Sequence, residues 1–127
     1  FGLPKDSKET MKKTFDLSLD LCTSGWNTYA AMALPGSQLY KDAVNRKLKL
    51  PDTYEGYSFH SYETQPLPTH SLKPKEILEY RDKSFKNYHT HKPFLDKIKR
   101  KFGKKALDNI EDMTKVTLKR KILGDLQ

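Results

Sequence analysis

The sequence predicts an α/β fragment followed by an α-helical C-terminal cap, mostly helical overall. Three observations carry that expectation. Phe1-Gly2-Leu3-Pro4 reads as the end of a strand running into a loop. The apolar run Tyr29-Ala30-Ala31-Met32-Ala33-Leu34 is broken by Pro35-Gly36 and followed by a helix start, so strand, loop and helix alternate as in a repeating α/β pattern. From residue 72 onward the spacing turns helical. A chain that opens inside such a pattern is expected to be a piece of an enzyme.

The elements follow in order. Asp6 is placed to cap a helix, with Glu9 three positions later completing a capping box. Met11, Phe15, Leu19 and Cys22 then recur on one helical face. Leu17 and Leu21 widen that face, as for a helix lying on a sheet, and Ser24-Gly25 ends it. Residues 26–34 lack the alternation of a half-wet strand and read as a strand covered on both sides. Ser37 caps a second helix through Leu39, Tyr40, Ala43, Val44 and Leu48. Residues 50–69 hold Tyr54, Tyr57, Phe59, Tyr62 and three prolines without helical period, a long loop that implies either function or a missing partner. Pro74 opens a helix carrying Ile77, Arg81, Phe85 and Tyr88, and Pro93 opens another, closed by Gly103. The last helix carries Ala106, Leu107, Ile110, Met113 and Thr117. Lys119, Arg120 and Lys121 near its end complement the helix dipole. The expected organisation is 1–50, 51–71 and 72–127.

Composition narrows the class. Hydrophobic residues make up 35% of the 127 and charged residues 31%, so the core is modest and much of the chain is solvated. No apolar run approaches the ~20 residues needed to cross a bilayer. The single cysteine, Cys22, excludes an internal disulfide and fits a cytoplasmic setting. The formal charge of +8 is one-sided: residues 1–71 hold eight Lys/Arg against eight Asp/Glu, and residues 72–127 hold sixteen against eight. That basic half offers an alternative reading, a helical RNA- or protein-binding module. Its lysines are interspersed with carboxylates such as Glu76, Asp96 and Asp108, so a solvated face is the simpler account and nucleic acid is not the expected partner. His89 and His91, two apart on a helix, face different ways and make a poor metal site.

Two phrases in the right order carry a resemblance. Gly2-Leu3-Pro4 followed by Asp6-Ser7-Lys8-Glu9-Thr10 resembles the Gly-Leu-Pro-Gly-Glu-Thr stretch that ends a late strand in radical S-adenosylmethionine enzymes. Leu34-Pro35-Gly36-Ser37-Gln38-Leu39-Tyr40 resembles the Tyr-Pro-Gly-Thr-x-Leu-Tyr phrase ending the next strand of that family. Lys5 departs from the pattern, standing where the family has a glycine suited to a left-handed turn. The later stretches Gly56-Tyr57-Ser58-Phe59-His60-Ser61-Tyr62-Glu63, Pro66-Leu67-Pro68-Thr69 and Tyr80-Arg81-Asp82 resemble the tail of the cobalamin-binding subgroup. So does the ending from Leu118-Lys119-Arg120 to Gly124-Asp125. That subgroup is related to the anaerobic magnesium-protoporphyrin monomethyl ester oxidative cyclase.

The resemblance implies the last strand–helix units of a partial TIM-like radical S-adenosylmethionine barrel. It implies an oxidoreductase or methyltransferase that uses S-adenosylmethionine, a 4Fe-4S cluster and cobalamin. Gly2, Leu3, Pro4, Met32, Ala33 and Leu34 would then wall the S-adenosylmethionine pocket, and Tyr57, His60 and Tyr62 would line a substrate loop. The family's three-cysteine cluster motif is not in these residues, and one cysteine cannot hold four irons. The isolated chain is therefore expected to be inactive. Its partners would be the remainder of its own enzyme and a small-molecule substrate, with self-association through open strand edges. The apolar faces of the cap, including Phe85 and Phe102, are expected to be buried.

Overall fold

The structure, a computed structural model, describes residues 1–127. Five α-helices follow one another: α1 (Lys8–Leu21), α2 (Gln38–Asn45), α3 (Pro74–His89), α4 (Lys92–Phe102) and α5 (Lys104–Lys115). Short 3-10 turns occupy Tyr54–Tyr57 and Lys121–Leu123. Helix covers 54% of the residues and there is no strand. The expected α/β barrel fragment is therefore corrected: the first half is helix and irregular chain, not strand–helix units.

The reason lies in what claims the backbone of residues 26–34. The Phe1 nitrogen donates to the Tyr29 carbonyl (2.8 Å) and the Ala31 amide donates to the Phe1 carbonyl (2.7 Å), one parallel exchange. It goes no further. The Gly2 and Leu3 amides, which would extend a ladder, donate instead to the Asp6 carboxylate at 2.9 and 3.0 Å, and Pro4 has no N–H. On the far side Arg81 Nε donates to the Thr28 carbonyl (2.7 Å) and the Leu67 amide to that of Ala31 (3.1 Å). Side chains and a loop satisfy the groups that a sheet would have used.

Helix α1 starts one residue later than Asp6 allows. Ser7 is the N-cap and exchanges hydrogen bonds with Thr10 at 3.0 and 3.2 Å, while Glu9 pairs with Lys13. Asp6 is occupied by the Gly2-Leu3 turn. The helix ends at Cys22, whose φ of 43° is left-handed, not at Ser24-Gly25. Met11 is buried on the expected face, but Leu17 and Leu21 remain 58% and 64% exposed because no sheet lies beneath them. Ser37 caps α2, which stops at Asn45 before reaching Leu48. Helix α5 stops at Lys115, two residues before Thr117. Val116 and Thr117, β-branched and poor helix formers, begin a non-helical run that ends at Arg120.

Three small cores hold these pieces. Met11, Ala30, Leu72, Ile77 and Leu78 join α1 to α3. Ala33, Ala43 and Leu67 seat α2. Tyr88, Phe94 and Ile98 gather α3 and α4 with Trp26, which stacks on Tyr88 at 5.0 Å and 18°. Gly2 is fixed by the first of these: its φ is +84° and an added Cβ would lie 2.7 Å from Ile77 Cγ2. Gly2→Ala is expected to destabilise the fold by about 1–3 kcal/mol through strain and overpacking. A urea midpoint equal to that of the unsubstituted chain would count against this packing.

Candidate cleft between the aromatic loop and helix α3

Two successive turns of α3 supply Arg81, Asp82, Phe85 and Lys86 to a cavity of about 380 Å³. Asn27 and His60 close one side. Met113, Thr114, Val116, Thr117 and Leu118, where α5 unwinds, form the other.

Arg81 sits at an apolar position of the α3 spacing and is 4% exposed. Its Nε holds the Thr28 carbonyl, its Nη1 the Asp82 carboxylate (3.0 Å) and its Nη2 the Asn27 side-chain oxygen (3.2 Å). The guanidinium also lies over the Phe85 ring, 5.1 Å from its centroid. Three of its five N–H groups are thus engaged, leaving two.

Asp82 is shared. Arg120, fully buried, donates to it from Nε (2.9 Å) and Nη2 (3.1 Å). The Nη1 of Arg120 reaches the Ser61 carbonyl (2.9 Å) and Thr64 Oγ1 (2.8 Å). One carboxylate therefore serves two guanidiniums, and the aromatic loop is tied to α3 through Arg120. This corrects the reading of Arg120 as a complement to the dipole of the last helix: α5 ends at Lys115, and Arg120 is buried beyond it. Lys86, also on the cleft, is exposed and makes no ion pair.

Behind Phe85 lies His89, 5% exposed, its ring 4.3 Å from that of Phe85 and its Nδ1 2.8 Å from the Phe85 carbonyl. Burial holds its pKa below the usual histidine value; the Phe85 carbonyl acts the other way, and Arg81 reinforces the depression. The unfolded chain thus binds a proton that the folded chain resists. Stability contributed by neutral His89 is full above about pH 6.5 and is lost as pH falls through the depressed folded value. The expected outcome is a lower melting temperature at pH 5 than at pH 7.5, a difference that His89→Phe reduces. An unchanged pH dependence in that variant would exclude His89 as its source.

Of the expected site residues, only His60 reaches this cleft, with its ring 6.4 Å from Tyr29. Tyr62 lies at the loop's other end, donating to the Asp125 carbonyl at 2.7 Å. Tyr57 is half-buried in its 3-10 turn. Gly2, Met32 and Ala33 are buried in the interior, Pro4 is half-buried, and Leu3 and Leu34 stand 57% and 44% exposed. Sequence reading did not single out Arg81, Asp82, Phe85, Lys86 or Arg120 for the site. A signal existed for Arg81, a charged residue in the Ile77, Phe85, Tyr88 series.

Cys22 is a lone, half-buried thiol whose carbonyl accepts from Lys97 Nζ. No three His, Cys, Asp or Glu side chains converge, so an iron–sulfur cluster does not fit the donors of these residues. No helix is long and apolar enough to cross a membrane. No protein-family model, curated protein or solved structure matches the chain.

Proposed function

We propose that these residues form the substrate-enclosing part of a larger enzyme of the radical S-adenosylmethionine class, cobalamin-binding subgroup, acting in the cytoplasm. The observation that carries the reading is the cleft. His60 of the aromatic loop meets Arg81 and Lys86 of α3 around a cavity of about 380 Å³, a size suited to a small molecule. The reading also rests on the sequence phrases at Gly2-Leu3-Pro4 and Leu34-Pro35-Gly36, although the strands that end in such phrases in that family are not formed by these residues. The 4Fe-4S cluster, the cobalamin and most of the S-adenosylmethionine site would belong to the remainder of the enzyme, where the radical is generated. What these residues do is enclose and orient the substrate. The test is the coding sequence upstream of Phe1, followed by anaerobic reconstitution of the longer protein. A three-cysteine motif in frame and cleavage of S-adenosylmethionine are expected; a longer protein that binds no cluster would overturn the reading.

One observation favours a second reading, a basic binding module. Lys92, Lys104 and Lys115 are neutralised by Asp96, Asp108 and Asp112. Lys99, Arg100, Lys101 and Lys105, at the corner of α4 and α5, are exposed and make no ion pair. If that corner binds RNA, affinity will fall steeply with salt as counterions are released, and Lys99→Ala with Lys101→Ala will abolish it. Under the enzyme reading the double variant leaves weak, sequence-blind binding nearly unchanged.

A further inference from the structure

We infer that the cleft on α3 takes an organic acid, a carboxylate head on a compact apolar body; the inference rests on the substrate-enclosing role proposed above. Charge decides the head. The only carboxylate on the cleft, Asp82, is consumed by Arg81 and Arg120, so it cannot neutralise a further cation. Lys86 is left unpaired, and two Arg81 N–H groups remain unengaged. The amides of Thr117 and Leu118, which also line the cavity, donate to no protein group. Lone donors and one unpaired cation around one cavity favour an anion and oppose an ammonium group.

The walls decide the body. Phe85, Met113, Val116 and Leu118 line the cavity, and Val116 stands 72% exposed with Met113 at 36%. Exposed apolar side chains facing a cavity gain from an apolar occupant. Arg81 is itself 4% exposed and locked by three acceptors and the Phe85 ring, so the donor set is preorganised. A volume of about 380 Å³ admits a one- or two-ring acid at the small end of ligand pockets.

The test uses the full 127-residue chain with three probes that share the naphthyl body and differ in head group and charge: 1-naphthoate, 1-naphthylmethanol and 1-naphthylmethylammonium. Binding is followed by amide shifts in two-dimensional NMR and by calorimetry. The naphthoate is expected to bind at least tenfold more tightly than the other two and to shift the amides of Asn27, Thr117 and Leu118. Lys86→Glu, on an exposed side chain that leaves the fold intact, is expected to weaken naphthoate roughly tenfold by reversing a nearby charge. Lys99→Glu, at an exposed position that does not line the cleft, is expected to leave it unchanged. Equal affinity for the three probes, shifts confined to other residues, or equal loss in the two lysine variants would each overturn the inference. Selective naphthoate binding in a chain whose longer form cleaves no S-adenosylmethionine would keep the ligand class and discard the enzyme reading. A longer form that cleaves S-adenosylmethionine, with no naphthoate preference, would do the reverse.

Discussion

Replacing Asp82 with alanine is expected to lower the free energy of unfolding by about 3–5 kcal/mol, the loss typical when one partner of a buried ion pair is removed. Arg120 is fully buried while Asp82 keeps 24% of its side chain exposed, so the orphaned guanidinium sets the cost. Ser61 and Thr64 would still accept from Arg120, but neither carries charge. The measurement is urea denaturation at neutral pH. Glu63→Ala, which removes the exposed partner of Lys121, serves as the contrast, with an expected loss of less than about 1 kcal/mol. Equal midpoints for the two variants would mean that Arg120 finds another partner.

Phe94→Ala is expected to cost a similar amount, about 3–5 kcal/mol, because it empties the centre of the third core. Phe94 is fully buried, with ring centroids 5.0 Å from Tyr88 and 5.3 Å from His89. Phe102→Ala should cost less than about 1 kcal/mol, as for surface positions, since Phe102 is 57% exposed. The sequence reading buried Phe102 with Phe85. The structure corrects this: Phe85 is half-buried under Arg81 and Phe102 faces outward at the end of α4. Thermal unfolding of the two alanine variants checks the contrast. A larger shift for Phe102 than for Phe94 would place the core elsewhere.

What the sequence made legible was local. Pro74 and Pro93 at helix starts and Gly103 between α4 and α5 act through backbone geometry that no distant residue alters. The Ser37 cap is equally local. The supposed strand at residues 26–34 failed because a strand is defined by its partners. Nothing in its own composition reveals that Asp6 takes the Gly2 and Leu3 amides or that Arg81 takes the Thr28 carbonyl. The clamp failed for a related reason. Lys119-Arg120-Lys121 reads as an even basic run, yet Lys119 and Lys121 are exposed and Arg120 is wholly buried. Only the position of Asp82, 38 residues earlier, separates the middle cation from its neighbours. His60 lines the cleft, but its own residue type and loop marked it no more strongly than Tyr57 or Tyr62, and the cations that share the cleft sit on a helix whose spacing spoke only of core.

The Arg120 clamp also orders the chain in time. The contacts among α3, α4 and α5 join neighbours in sequence and close small loops, which is fast. Arg120 must instead meet Asp82, Thr64 and Ser61 across 38, 56 and 59 residues, and each such closure carries the entropy of a long loop. On a ribosome, which releases chains from the N-terminus forward, the aromatic loop has no anchor until Arg120 has left the exit tunnel. The cleft is consequently among the last parts of the molecule to acquire its shape, and its walls are completed by residues made long after its floor.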